Sequence, residues 1–418
     1  MMMCLFAPAC QTLAQGVITS TPQTSTTPPA VQERQNDNPM QVFAPSGAAS
    51  SAPLQLGPVT VHPHVDYQFL YGTGIQSSPG QQQNTIVQQL SPGILFNLGD
   101  HWALDYTPTV FFYSSSSFRD TVDHSAQLSW GMAYSDWFFS ASQGFSFSSD
   151  PSVETAAQTD QQTYSTALNA SYQFNDTMSL DLGLSQNLNY FGNGTAPTNL
   201  LQNLSSSRSW STMDWLNYQF WPRFNVGIGV GAGYSQQDGS PDSINEQYQA
   251  RANWRATDKI SFQLNGGLQD QQYLSGGAGS LLTPIFGAAI QYQPFEQTKL
   301  SLSANRSVSP SYFQSQVTES TAITADLNQR LLGKLYLDLS GGYIATKYVA
   351  SVSGASTSRH DDGYTFNARL TYPFLKMATA SVFYTYSKNS SSQSGFTSSP
   401  SGFDYSSTQI GFEVGFRY

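Results

Sequence analysis

The chain has 418 residues, and only 11% of them are charged, whereas about 25% are charged in an ordinary soluble domain. Its formal net charge of −10 argues against nucleic-acid binding, because a nucleic-acid-binding protein normally presents a basic face. No run of about 18 apolar residues occurs, which excludes a transmembrane helix, while 13% aromatic residues among many small polar ones suit a β-rich protein.

Residues 1–14 are interpreted as the remnant of a secretory signal. Leu5–Ala7 fit its apolar region and Thr12–Ala14 fit a loose cleavage site, although no basic stretch precedes them. Both cysteines, Cys4 and Cys10, lie in this segment, so the body of the chain has no disulfide framework and no thiolate metal site. The residues before Cys10 also resemble a lipoprotein box, but removal of the segment explains both cysteines more simply.

Residues 15–58 are rich in Pro, Thr, Ser, Gln and Ala and show no periodic pattern. This composition predicts a disordered periplasmic segment. Two roles stay open for it, a tether without specific contacts and a segment that contacts a periplasmic partner or cell-wall material.

From residue 59 onward, apolar and polar residues alternate again and again, which is the period of a β-strand with one apolar face. The runs are long: a tilted strand needs about 9–11 residues to cross the hydrocarbon layer, whereas a soluble strand averages about five or six. An extracellular β-solenoid or sandwich shares the composition but would need some strands that are apolar on both faces. The sequence predicts eighteen strands, at 59–71, 84–97, 102–113, 121–135, 137–148, 161–174, 177–189, 209–220, 223–235, 244–256, 259–273, 283–293, 298–308, 317–331, 334–348, 362–373, 376–388 and 403–418.

The connections between these strands alternate in length. Short turns such as Ser135-Asp136 and Leu332-Gly333 alternate with longer polar loops such as Gly72–Gln83, Tyr190–Arg208 and Asn389–Gly402. Tyr190–Arg208 is the longest of these loops and is the candidate for a plug that folds into the lumen. Bacterial outer-membrane barrels have short periplasmic turns and long external loops, so this pattern predicts a barrel with both termini in the periplasm. A girdle of aromatic residues is expected beside the short turns, formed by Trp102, Trp137, Phe174, Tyr218, Trp221, Trp254, Tyr292, Tyr372 and Tyr418.

Several charged residues fall on the polar faces of these strands and are the candidates for lining a pore. Charges in this position set the electrostatic selectivity of a channel. Alternatively, these charged residues pair across adjacent strands and stabilise the water-facing wall of the barrel. The glycines at alternate positions from Gly227 to Gly233 leave room in the lumen or permit strand curvature. The candidate pore-lining residues are Arg251, Arg255, Asp326, Arg330, Asp338, Arg369, Glu413 and Arg417.

No motif points to catalysis, since the chain has no G-x-S-x-G elbow, H-E-x-x-H pair, Walker loop or spaced Cys/His set. His62 and His64 share a face with Asp66, and such a pair could bind a metal or act as a base. We interpret the two histidines as polar lumen residues near the periplasmic rim. We therefore predict no catalytic residue, no metal site and no cofactor, and an outer-membrane hydrolase is kept only as an alternative.

The last strand carries the most specific pattern. Ile410, Phe412, Val414, Phe416 and Tyr418 form one apolar face that runs to the final residue. The run Gly411–Tyr418 resembles the C-terminal strand of bacterial outer-membrane β-barrels. In that resemblance Phe412, Val414, Phe416 and Tyr418 act as the assembly signal that the barrel-assembly machinery recognises.

A second resemblance covers an internal stretch. Lys299–Arg306, Thr321–Leu331 and Leu335–Tyr348 are similar to the "putative β-barrel porin" group found beside exopolysaccharide export systems. This resemblance implies periplasmic export components as partners and transfers no catalytic residue.

Together these observations predict an all-β fold, a transmembrane antiparallel up-and-down barrel of about 18 strands over residues 59–418, in the outer membrane of a Gram-negative bacterium. The expected function is a porin-like channel for passive diffusion of small hydrophilic solutes. The alternative is an accessory barrel of an exopolysaccharide or other polymer export system. The expected partners are outer-membrane lipid and the barrel-assembly machinery, and the sequence gives no oligomeric state.

Overall fold

The computed structural model describes residues 54–418 except 79, 152–154, 156, 193–203, 275–278, 352–357 and 395–402. The predicted signal remnant and most of the predicted disordered segment therefore lie outside the described residues. Within the described part, no helix is long and apolar enough to cross a membrane.

Regular structure in the described residues consists of strands joined by turns and loops. The alternation of apolar and polar residues favours extended backbone, because it gives each strand one face for a water-filled interior and one for an apolar surrounding. The strands are β1 (Leu54–Leu56), β2 (Val59–Ser78), β3 (Gln81–Leu98), β4 (Trp102–Tyr113), β5 (Thr121–Tyr134), β6 (Trp137–Ser148), β7 (Gln161–Gln173), β8 (Met178–Phe191), β9 (Ser207–Trp221), β10 (Phe224–Gln237), β11 (Ser243–Thr257), β12 (Ile260–Tyr273), β13 (Ser280–Phe295), β14 (Thr298–Pro310), β15 (Gln316–Leu331), β16 (Leu335–Ala350), β17 (Ser358–Pro373), β18 (Ala378–Ser394) and β19 (Tyr405–Arg417).

Strands β2–β19 form a closed antiparallel barrel of eighteen strands, as predicted. Each strand pairs with its neighbours in the chain, and the last strand pairs with the first. The closing seam between β19 and β2 runs from Arg417 opposite His64 to Thr408 opposite Thr73. Closure leaves no free sheet edge, which is the condition for a β-structure to span a lipid layer.

One boundary differs from the prediction. Leu54–Leu56, assigned above to the disordered segment, forms β1 and pairs with Val59–Val61 through a turn at Gly57. The same edge of β2 is covered higher up by the chain end, because the Tyr418 N–H donates to the Pro63 carbonyl at 3.0 Å. The short strand therefore covers backbone groups of β2 that β19 is too short to reach.

Several strands also extend further into the predicted long loops than expected. The predicted loop Gly72–Gln83 is mostly strand, because β2 continues to Ser78 and β3 begins at Gln81 with two register shifts between them. Likewise β18 continues to Ser394 inside the predicted loop Asn389–Gly402. These extensions are rich in Ser, Gln, Gly and Asn, so they lack the alternation by which the other strands were recognised.

The outer face of the barrel is apolar. Ile228 and Val230 are 68% and 57% exposed, whereas Gly229 between them lies on the inner face beneath the side chains of Met213 and Trp215. Seven of the nine predicted girdle residues are 41–66% exposed at the short-turn end: Trp102, Phe174, Tyr218, Trp221, Trp254, Tyr292 and Tyr372. An apolar belt bordered by aromatic rings is the surface expected of a barrel in lipid.

Candidate functional site: the barrel lumen

The inner face collects the polar halves of the alternating strands. Around the middle of the barrel its exposed positions carry hydroxyl and amide groups, and neighbours bond to one another: Ser303 with Thr324 at 2.5 Å and Ser185 with Ser211 at 2.7 Å. Such a wall can hydrogen-bond to neutral hydrophilic solutes and carries little net charge. The exposed positions there include Ser125, Ser165, Ser185, Gln263, Asn305, Thr324 and one acid, Asp326.

Toward the long-loop end, the inner face becomes buried. Polar residues that point inward there are only 1–8% exposed, whereas the sequence pattern predicts that they face a water-filled interior. The loop end of the lumen is therefore packed, whereas its middle is accessible. The buried inner-face residues are Thr85, Gln237, Ser243, Gln271, Thr318, Asn389, Ser407 and Gln409.

The connection between β14 and β15, residues Ser311–Ser315, is responsible for much of this packing and is called the inward loop below. The Gln237 amide donates to two of its carbonyls, those of Ser311 at 2.8 Å and Phe313 at 2.9 Å. Its last residue, Ser315, donates its N–H to Ser240 Oγ at 2.5 Å and accepts from the Ser351 N–H at 2.9 Å. The loop is thus held by the connections on both of its sides.

The inward loop also reaches strands a third of the way around the barrel. Tyr312 packs edge-on against Phe191 at the end of β8, with ring centroids 4.9 Å apart, and its hydroxyl accepts from the Gln161 amide at 3.3 Å. The Ser205 N–H donates to the Tyr312 carbonyl at 2.8 Å. Because β8 lies six strands from β14, these contacts cross the mouth of the lumen.

The predicted plug was a different loop, Tyr190–Arg208. Residues 193–203 of that loop lie outside the described residues, and its described part meets the inward loop through the Leu204–Phe313 bridge. Loop length was the signal used in the prediction. The inward loop has only five residues, so length could not reveal it.

A buried arginine completes the closure on the other side of the inward loop. Arg359 and Asp361 form an ion pair at 2.5 Å, and both side chains are 5% exposed. The guanidinium lies 3.7 Å from the ring centroid of Phe403 and 4.6 Å from that of Tyr348, which is cation–π geometry. Phe403 in turn meets Phe313 of the inward loop edge-on at 6.4 Å.

An apolar cluster inside the barrel was not anticipated. It joins inward-facing residues of β2, β3, β4 and β18 to a ring from the β4–β5 loop, and its members are 0–8% exposed. The sequence carried a signal, since Phe69-Leu70 and Phe111-Phe112 each place apolar residues on both faces of a strand. The cluster fills one sector of the lumen: Leu70, Ile75, Val87, Phe111, Phe118 and Phe383.

A buried acid fastens the β6–β7 loop to the wall beside this cluster. Asp150 accepts from the Tyr113 hydroxyl at 3.4 Å, and burial together with the nearby Asp123 carboxylate raises the pKa of Asp150 to about 8. The same loop is tied to the β4–β5 loop by an ion pair between Arg119 and Asp160. The two loops are therefore joined by titratable groups.

Lower in the lumen, Arg251 forms a clamp that links side chains of three strands, β8, β9 and β11, across β10. Its guanidinium donates to Asp181 at 2.5 Å and its Nε to Asn217 Oδ1 at 2.9 Å, while Trp215 lies beneath it at 4.4 Å. The clamp crosses β10 at Gly227, where an added Cβ would lie 2.6 Å from Asn217 Oδ1. The predicted glycine column thus leaves room for side chains of the adjacent strands to lie across it.

The other predicted lumen charges fall into two groups. Arg369 pairs with Glu413 across β18 at 3.1 Å, and Asp338 accepts from the Asn328 amide, so these residues stiffen the wall. Asp326 accepts from Ser301 Oγ at 3.1 Å and remains exposed, which makes it the predicted acid best placed to meet a solute.

The remaining predicted positions lie near the short-turn end. Arg330 donates to the Gly333 carbonyl at 2.6 Å, outside the middle of the lumen. Arg255 lies at a register shift between β11 and β12, and Arg417 lies on β19 opposite His64 at the seam. The structure therefore does not gather the predicted charges into a single ring.

The two histidines at the seam have ordinary partners. A ring nitrogen of His62 lies 3.3 Å from the Tyr418 carbonyl, and one of His64 lies 3.1 Å from Thr107 Oγ1. No group of three or more His, Cys, Asp or Glu side chains suited to a metal ion occurs among the described residues.

The predicted assembly signal lies on the outer face of the closing strand. Phe412, Val414 and Phe416 are 39–43% exposed, and Phe412 stacks on Phe69 across the seam at 5.5 Å. The column is therefore available to a surrounding lipid or protein surface, as its alternation predicted.

Comparison with known proteins gives a partial family match and similar folds. Residues 232–418 match the model of the family described as "Putative beta-barrel porin 2". No curated protein matches the chain. Among solved structures, OccK11 (OpdR) of Pseudomonas aeruginosa has 11% identity and a TM-score of 0.42, covering 85% of this chain and 95% of its own. OccAB4 of Acinetobacter baumannii has 10% identity and a TM-score of 0.43, with coverages of 86% and 98%. A bacterial polysaccharide outer membrane secretin has 10% identity, a TM-score of 0.35 and the same coverages.

The family match covers β11–β19 in full, including the closing strand, and begins within β10. The other strands continue the same antiparallel order around the barrel. The closed barrel and its apolar exterior are those of an outer-membrane β-barrel, and residues 232–418 are similar to the porin family named above.

Proposed function

We propose that this barrel is a channel through which small, uncharged hydrophilic solutes diffuse across the outer membrane. The observation that carries the proposal is the accessible middle of the lumen, where hydroxyl and amide groups predominate and Asp326 is an isolated acid. Barrels of about sixteen to eighteen strands are wide enough for an aqueous channel. The proposal assigns no catalytic step to the chain.

In this proposal the inward loop sets the size limit. The accessible part of the lumen lies on the short-turn side, and the contacts of Tyr312 and Gln237 narrow the opposite end. We place the short turns and both termini in the periplasm, as bacterial barrels of even strand number do. Solutes then meet the narrow region first from outside the cell.

A liposome-swelling assay with the purified, folded protein tests the proposal. Neutral sugars of increasing size should enter the vesicles until a cut-off is reached, and charged solutes of equal size should enter no faster. Vesicles that fail to swell with the smallest sugar would refute the diffusion channel.

A second function is supported by the same wall. Hydroxyl and amide groups along the lumen also suit a neutral glycan chain, which supports the role of an accessory barrel in polymer export with periplasmic components as partners. Cells that lack the gene should then lose surface polysaccharide while small-solute uptake is unchanged. The reverse result would favour the diffusion channel.

A further inference from the structure

The lipid-facing belt of the barrel is interrupted by a patch of polar side chains on four neighbouring strands. Gln143 on β6, Thr166 on β7 and Gln186 on β8 form one register row across the outer face. Thr212 and Asp214 continue the patch on β9, where they lie on the same outer face as the exposed Leu216. These five residues are called the outer polar patch.

The patch lies within the apolar belt and not at its border. On each strand it is flanked along the outer face by apolar residues: Thr166 by Tyr164 and the exposed Leu168, and Gln186 by the exposed Leu184 and by Leu188. Polar groups at this depth meet neither water nor lipid headgroups, and a charged side chain on the lipid face destabilises a barrel most near the midplane. A protein surface is the remaining partner that can satisfy them.

The hydrogen bonds within the patch do not use all of its donors and acceptors. The single hydroxyl proton of Thr166 faces two amide oxygens, that of Gln143 at 2.6 Å and that of Gln186 at 3.3 Å, and it can serve only one of them at a time. In the described part of the chain, the hydrogen-bond donor that meets Asp214 is the Gly183 N–H, at 3.4 Å.

The strand pairing is also broken beneath the patch. The β8–β9 ladder omits Leu182 and Gly183 opposite Met213 and Asp214, so backbone groups there lack their usual ladder partners. A defect of this kind is costly where lipid is the surrounding medium, because the hydrocarbon layer offers no water to the freed groups. The gap in the β8–β9 ladder therefore lies at Asp214, the charged member of the outer polar patch.

We propose that the outer polar patch is the contact surface of a two-fold dimer with a second copy of this chain. The arrangement is self-complementary, because an axis along the membrane normal between β7 and β8 places the β6 edge of one copy against the β9 edge of the other. The Gln143 amide, a donor, then meets Asp214 of the second copy, an acceptor, on both sides of the axis. A two-fold interface uses the same patch on both subunits, which is what this distribution provides.

Cysteine cross-linking in native outer membranes tests the dimer, in a Cys4→Ser/Cys10→Ser background. Gln186→Cys places a thiol beside the proposed axis, and Phe366→Cys is the matched control on the far wall, six residues from girdle residue Tyr372. Oxidation should convert the Gln186→Cys protein to a disulfide-linked species of twice the chain mass and leave the control monomeric. Equal cross-linking in both variants, or a cross-link to a protein of another mass, would overturn the proposal.

The mass of the detergent-solubilised barrel provides a second test. The variant Gln186→Leu/Asp214→Leu should halve the protein mass seen by light scattering, whereas Leu302→Ile on β14, outside the outer polar patch, should leave it unchanged. A wild-type protein that is already monomeric, with no cross-link at Gln186→Cys, would also overturn the proposal. If the double variant fails to fold, the cross-linking result decides.

Discussion

The clamp formed by Arg251 should be a large contributor to the stability of the lumen wall. The substitution Arg251→Met keeps the aliphatic length but removes the ion pair with Asp181, the hydrogen bonds to Asn217 and the cation–π contact with Trp215. Breaking a buried ion pair by removing one partner costs about 3–5 kcal/mol, because the other charge stays buried. Asp181 is 20% exposed and keeps the Ser171 hydroxyl as a donor at 2.7 Å, which reduces the cost.

We therefore expect Arg251→Met to lower the free energy of unfolding by about 2–4 kcal/mol. Urea unfolding of the barrel in lipid vesicles, followed by tryptophan fluorescence, measures this change. The matched control is Arg330→Met at a short turn, where the exposed guanidinium donates to a carbonyl and the expected change is within about 0.5 kcal/mol.

A double variant separates the ion pair from the rest of the clamp. Asp181→Asn combined with Arg251→Met should cost less than the sum of the two single changes, by about 1–3 kcal/mol, because the second change removes the charge that the first left unpaired. If Arg251→Met unfolds with the same free energy as Arg330→Met, the clamp does not stabilise the barrel and this reasoning is refuted.

Three further predictions concern the glycine column, the chain end and the buried acid. Gly227→Ala should destabilise the barrel in the same unfolding assay by about 1–3 kcal/mol, since its Cβ would press on Asn217 and the clamp, whereas Gly341→Ala, where the nearest atom is 4.0 Å away, should be neutral. Deleting Phe416–Tyr418 should abolish heat-modifiable, membrane-embedded protein, and normal insertion after this deletion would contradict the role of β19. Because the pKa of Asp150 is raised to about 8 from an ordinary value near 4, the folded state binds the extra proton, so stability should fall as the pH rises from about 4 to about 8. The protection of the β6–β7 loop against hydrogen exchange, relative to the intrinsic exchange rate at each pH, should fall over the same pH range. This fall should disappear in Asp150→Asn, and an unchanged fall in the variant would show that another group titrates.

The fold was predictable because the membrane imposes a simple rule on every spanning strand. Most outer positions are apolar and most inner ones polar, so the period of two is visible in each strand and predicted the eighteen barrel strands. The prediction failed where that rule stops. At the long-loop end, the extensions of β2 and β18 are rich in Ser, Gln, Gly and Asn, a composition that looks like a loop.

The lumen was predictable only in part. Alternation showed which residues point inward, including Arg251 and Glu413, but it carries no information about contacts between distant strands. The clamp depends on the register that places Asn217, Gly227 and Arg251 in one row, and the inward loop depends on contacts between residues more than a hundred positions apart. The apolar cluster was visible in principle, since Leu70 interrupts the polar face of β2.

The central claim is that the lumen is an aqueous path narrowed by the inward loop, and single-channel recording in planar bilayers tests it most directly. The recording compares the wild type with a variant in which Tyr312–Gln314 are replaced by two glycines, which removes the ring that packs on Phe191. We expect discrete conductance steps in the wild type and larger steps in the variant. An absence of steps from either folded protein would contradict the account.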